Sequence, residues 1–115
     1  MTEKTTLETL KAARKLIEIP EHWCQENYAQ DGDDRRVGPN SYKAYAFCGV
    51  GALCRATKKG ALTILWHPAY AALELGLANG EDITDFNDTH THAEVLQAFD
   101  QAIAKLEATH EPKVN

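Results

Sequence analysis

No stretch of this sequence approaches the roughly 20 consecutive apolar residues that a membrane-spanning helix needs, so no membrane role is expected. Basic charge is also scarce. Twelve lysines and arginines face 17 aspartates and glutamates, for a net charge of −5. Nucleic-acid binders usually carry a clustered basic face, so a nucleic-acid partner is not expected. Lys58-Lys59 and Arg35-Arg36 are local basic pairs, but two adjacent charges are ordinarily just solvated. Cysteines number only three, and no Cys-x-x-Cys is present. An odd, sparse set reads as free thiols rather than as a disulfide framework. The opening Met1-Thr2-Glu3-Lys4-Thr5 runs into a mixed charged and apolar segment without the apolar core of a secretion signal. A cytoplasmic protein is the expectation. Internal repeats, low-complexity tracts and linkers are all missing, so residues 1–115 are read as a single domain. That length can bury a core without staples. Residues 1–4 and 110–115 are expected to fray.

What is present reads as helix. Thr5 and Glu8 have capping-box spacing. Leu7, Leu10, Ala13, Leu16 and Ile17 follow at helical intervals until Pro20 stops the helix near Ile19. A loop is predicted over 21–40, with turn signals at Asp31-Gly32-Asp33-Asp34 and Gly38-Pro39-Asn40 and with Trp23 and Tyr28 as its pins. A second helix is predicted from Ser41 as N-cap to about Thr57. Its Gly49 and Gly51 each cost roughly 1 kcal/mol relative to alanine, a cost usually accepted where another backbone comes close. A third helix is expected from Pro68, which needs no amide donor at a first helical position, to a stop at Asn79-Gly80. Residues 62–65 are expected to run into it rather than form a strand. Asp85-Phe86-Asn87-Asp88 is read as a polar turn. Thr91 and Glu94 repeat the capping-box spacing before the strongest stripe in the chain, Val95, Leu96, Phe99, Ala102, Ile103 and Leu106. The predicted fold is all-α: one compact domain of about four helices, with one long loop between the first and second.

The order of Trp23, Phe47-Cys48-x-x-Gly51-Ala52-Leu53, Asp85-Phe86-Asn87-Asp88 and Glu94-Val95-Leu96, followed by Asp100 and Ala102-Ile103, resembles a family of small proteins of unknown function. That family occurs in bacteria and their phages. Its members are similar in a tryptophan loop, a Cys-x-x-Gly-Ala-Leu helix and an aromatic-Asn-Asp turn before a Val-Leu helix. The likeness spans Trp23 to Ile103. It leaves out Cys24, Cys54, His90 and His92, and it implies no activity.

Chemistry must therefore be weighed on residue types. A thiol nucleophile at Cys48, a base at His90 or His92 and an orienting Asn87 or Asp88 would make a cysteine-dependent, hydrolase-like enzyme. Against it, the predicted second helix puts Cys48 seven residues beyond its cap, away from the amides that lower a thiol pKa. Free cysteine is also commonly a small core hydrophobe. Core packing is favoured. His90-x-His92 with Cys24, Cys48, Asp85 or Asp88 lacks metal-site spacing, so no metal is expected. Asp31-Gly32-Asp33 lacks the bidentate glutamate of a calcium loop. Asp85 and Asp88 are read as helix-start carboxylates rather than an acid–base pair. No cofactor is implied.

The aromatic residues favour binding. Trp23, Tyr28 and Trp66 are the candidate partner contacts, since tryptophan and tyrosine concentrate interface energy. The expectation is a small, non-catalytic interaction protein, phage- or prophage-related. It would bind a protein partner through the 21–40 loop and the aromatic surface beside it. The cysteine enzyme is the alternative, and homo-oligomerisation is left open.

Overall fold

Both predicted capping boxes form. At the first, Thr5 Oγ1 accepts the Glu8 amide at 3.0 Å while Glu8 Oε1 accepts the Thr5 amide at 2.9 Å. At the second, Thr91 and Glu94 do the same at 3.2 and 2.9 Å. Each reciprocal pair satisfies two amides that a helix start leaves without a carbonyl. The computed structural model that shows this describes residues 4–77 and 80–109. The expected fraying at 1–3 and 110–115 lies outside the described residues.

Six α-helices are found among them: α1 (Thr6–Leu16), α2 (Gly49–Thr57), α3 (Ala61–Ile64), α4 (Pro68–Leu75), α5 (Ile83–Thr89) and α6 (His92–Thr109). Three short strands, β1 (Ala29–Gln30), β2 (Arg36–Val37) and β3 (Ala46–Phe47), make an antiparallel sheet in the order β2-β1-β3. Ala29 pairs with Val37 on one side and Phe47 on the other; Gln30 pairs with Arg36 and Ala46. This corrects the all-α expectation of about four helices: the fold is a mixed α/β one. Strands of two residues are too short to show the alternation by which strands are recognised.

The long loop is correspondingly built. Pro20–His22 forms a 3₁₀ turn, and Trp23 makes an isolated parallel bridge to Phe47. At the hairpin tip, Asp31 Oδ1 accepts the amides of Asp33 and Arg35, both at 2.9 Å. His22 donates through Nδ1 to the Tyr45 carbonyl at 2.7 Å and meets the Tyr45 ring edge-on.

The predicted start of the second helix is also corrected. Ser41 Oγ accepts the Lys43 amide in a local turn, the chain runs extended through β3, and the helix begins seven residues late with Cys48 as N-cap. Its predicted end at Thr57 is observed. Helix α4 begins with Pro68 at its first position, behind a His67 cap whose Nδ1 accepts the Ala69 amide. It ends at Leu75, before the predicted stop; Asn79 lies outside the described residues. Residues 61–64 form the separate turn α3. The tetrad 85–88 is not a turn but the middle of α5, whose cap is Asp82.

The core joins these parts. Leu10 and Ala13 of α1 and Ile17 at its C-cap meet Leu53 and Cys54 of α2, Leu73 of α4, Ile83 of α5, and Val95, Phe99 and Ala102 of α6, all buried. Arg14 clamps α1 to α6 by donating from Nε to Asp100 at 2.6 Å and from Nη2 at 3.3 Å.

Candidate functional site

Asn87 carries the most concentrated polar arrangement in the molecule. Its α5 position points it inward, and it is 0% exposed. Oδ1 accepts the Trp23 indole N–H at 2.8 Å and the Gly49 amide at 2.9 Å. Nδ2 donates to the Cys24 carbonyl at 3.0 Å and to Asp88 Oδ1 at 3.2 Å. All four bonding directions of a carboxamide are thereby satisfied. One side chain thus fastens the loop after α1, the start of α2 and the middle of α5. Gln25 reinforces it by donating to the carbonyls of Asn87 and His90, both at 3.1 Å. Asp88 Oδ1 also accepts the amide of Glu26, whose φ is 74°.

Cys48 sits at one end of this seam. Its Sγ accepts the Gly51 amide at 3.3 Å, as a cap does. Its amide donates to the Tyr28 carbonyl at 3.2 Å. That carbonyl lies against Gly51, where a Cβ would collide with it. Gly51 is therefore the close backbone approach that the glycine cost implied. Gly49 is not: a Cβ there would find ordinary contacts of 3.5 to 3.7 Å.

The helix-start placement removes the argument used against Cys48 from sequence, since the first turn of a helix lowers thiol pKa. Burial outweighs it. Cys48 is 3% exposed, and desolvation pushes its thiol up to about 11 despite the Gly51 and Val50 amides. Burial likewise pushes Cys54 up to about 11 and Cys24 to about 12. All three are free thiols.

The proposed partners of Cys48 are engaged elsewhere. His90 donates through Nδ1 to the Phe86 carbonyl at 2.9 Å, and its ring stacks on Phe86 with centroids 3.8 Å apart. His92 donates through Nε2 to the Ile17 carbonyl at 2.7 Å and lies beside Trp23. Neither is hydrogen-bonded to Cys48 among the described residues. Asn87 accepts the amide of Gly49, the residue after Cys48, and Asp88 shares a cavity wall with Cys48. Cys48, Asp88, Glu26, Tyr28, Arg36, Asn27 and Thr84 line one open cavity of about 230 Å³. No group of three or more His, Cys, Asp or Glu fit to hold a metal ion is found among the described residues.

The three candidate partner contacts separate. Trp23 is half-buried, with its N–H committed to Asn87. Tyr28 is 41% exposed and Trp66 88%. Leu62 and Leu65 are exposed with Trp66, while Ile64 among them is 0% exposed. Residues at i, i+3 and i+4 share one side of a helical turn, so the outward side of α3 and of the turn that continues it is apolar.

Sequence reasoning missed the roles of Gln25 and Glu26, which act through an amide and a backbone N–H that no motif marks. It also missed Cys48 as a cap, for which Gly49 and Gly51, poor residues for a helix interior, were the available signal. No helix among the described residues is long and apolar enough to cross a membrane. Neither a curated protein nor a solved structure matches the chain. A family of unknown function, DUF6197, matches residues 1–105. The chain, with its tryptophan pinned to the buried asparagine of α5, therefore belongs to that family.

Proposed function

We propose that this chain is a non-catalytic, cytoplasmic interaction protein, phage- or prophage-related, that binds a protein partner through its exposed aromatic surface. The observation that carries this reading is the outward side of α3: Leu62, Leu65 and Trp66 are together in solvent on one turn. Single exposed apolar residues are ordinary, but grouped ones mark interaction sites. Tryptophan is among the residues enriched at binding hot spots. Tyr28, Tyr42 and Tyr45, on the segment between α1 and α2, are exposed as well. Trp23 contributes by holding that segment in place rather than by contact.

The competing reading, a cysteine-dependent hydrolase-like enzyme, draws on Cys48 at the start of α2 and on the cavity wall it shares with Asp88. Its weakness is a buried, protonated thiol with no histidine bonded to it. Alkylation of the native protein across pH 6 to 9, followed by mass spectrometry, separates the two. Protection of Cys48 until the protein is unfolded supports the binding reading; rapid modification below pH 7 would overturn it. Trp66→Ala then tests the surface. It should fold normally yet lose a defined protein that the wild type retains from its native host, and an unchanged retained set would sink the assignment of Trp66.

A further inference from the structure

Away from the Asn87 seam, the C-terminal end of α2 and the first turns of α1 enclose an open cavity of about 220 Å³. Its lining includes Lys4, Lys58, Lys59, Thr9 and Thr57. In a chain with a net charge of −5, three lysines line one concavity. None of the three has an ion-pair partner among the described residues, unlike Lys11 with Glu107 and Arg14 with Asp100. A helix C-terminus attracts lysines through its own carbonyls, and that alone would account for Lys58 and Lys59. Two of the last four, on Cys54 and Arg55, are already engaged. Cys54 O accepts from the Lys59 amide, Arg55 O from the Lys58 amide, and Thr57 Oγ1 donates to Leu53 O and Cys54 O. Lys58 holds the left-handed conformation, with φ 61°, that turns the chain there.

Thr9 is the independent observation. It is 1% exposed, and its Oγ1 is the one buried side-chain polar atom left without a hydrogen-bond partner among the described residues. An unmet buried hydroxyl costs about 1–3 kcal/mol and calls for an explanation. A hydroxyl in the wall of a lysine-bordered cavity is suited to donate to an anion's oxygen.

We propose that this cavity binds the phosphate group of a small phosphorylated compound. Lysine is a point-charge phosphate binder that needs no planar, two-pronged geometry. A doubly charged phosphate matches several ammonium groups better than a carboxylate does. The volume falls below the roughly 300 Å³ at which drug-sized sites begin, which restricts the ligand to a phosphate with a short substituent.

The test is an amide NMR titration of the whole chain at constant ionic strength, with inorganic phosphate in one arm and glycerol 3-phosphate in the other. Saturable shifts at Thr9, Lys58 and Lys59 are expected in both arms, and tighter binding of the ester would add its short stem to the site. Lys58→Gln with Lys59→Gln should weaken binding at least about tenfold, because two of the three lining lysines lose their charge. Lys11→Gln, which lies outside the cavity lining, should leave it unchanged. Thr9→Val should stay folded with an undiminished melting temperature and bind several-fold more weakly. Shifts that rise linearly without saturating, or an affinity unmoved by the double lysine variant or by Thr9→Val, would overturn the assignment.

Discussion

The seam around Asn87 and the outward side of α3 lie in one small chain and are built on opposite terms. In the seam, a polar side chain is buried and each of its bonding directions is met. On α3 and the turn after it, three large apolar side chains are exposed to solvent. The first arrangement stabilises only the fold that surrounds it, because an unmet buried carboxamide would be costly. The second adds little to the fold and leaves apolar area free for something else to cover. A residue's type therefore says less about its job than what its neighbours satisfy. Trp23 and Trp66 have the same indole, yet one is a structural fastener and the other a candidate anchor.

Substitutions can break or sharpen that contrast. Asn87→Leu should have the largest effect. It leaves the Trp23 indole, the Gly49 amide and the Cys24 carbonyl unpaired, and at about 1–3 kcal/mol for each buried group a net loss of about 4 kcal/mol is expected. Urea denaturation would measure it, and a loss below about 1 kcal/mol would mean that the seam relaxes or admits water. Gly51→Ala comes next, at about 3 kcal/mol, because its Cβ meets the Tyr28 backbone and not a movable side chain. Gly49→Ala, two residues away, should change stability by less than about 1 kcal/mol, its Cβ meeting only ordinary contacts. Equal costs for the two glycines would remove the backbone-approach explanation. Leu62→Ser should be the mildest, within about 0.5 kcal/mol, as for most surface changes. A clear drop in its melting temperature would show that the α3 surface supports the fold after all.

Much of the helical framework was legible. Thr5 with Glu8 and Thr91 with Glu94 are local devices, written within four residues, and both form as read. Pro68 at a first helical position and the end at Thr57 are local as well. The strands were not legible because Ala29-Gln30 and Ala46-Phe47 become strands only by meeting each other. The start of α2 was misplaced because serine is the commoner cap, whereas Cys48 serves through a weak sulfur acceptor. The tetrad 85–88 looked like a turn since Asp and Asn favour turns; Asp82, three residues before Asp85, was the true helix-start signal. At the seam, Cys48, Asn87, Asp88 and Trp23 were each legible as notable residues. Their mutual arrangement was not, since the Trp23 bond to Asn87 links positions 64 residues apart.

That separation also bears on the order in which the molecule comes together. A contact across so long a span brings little until α5 has found the rest of the core, because the intervening chain must first lose its freedom. The Asn87 bonds are therefore expected to close late. Stopped-flow kinetics of Asn87→Leu should then show unfolding quickened more than folding is slowed, and the reverse split would place the seam in the folding nucleus.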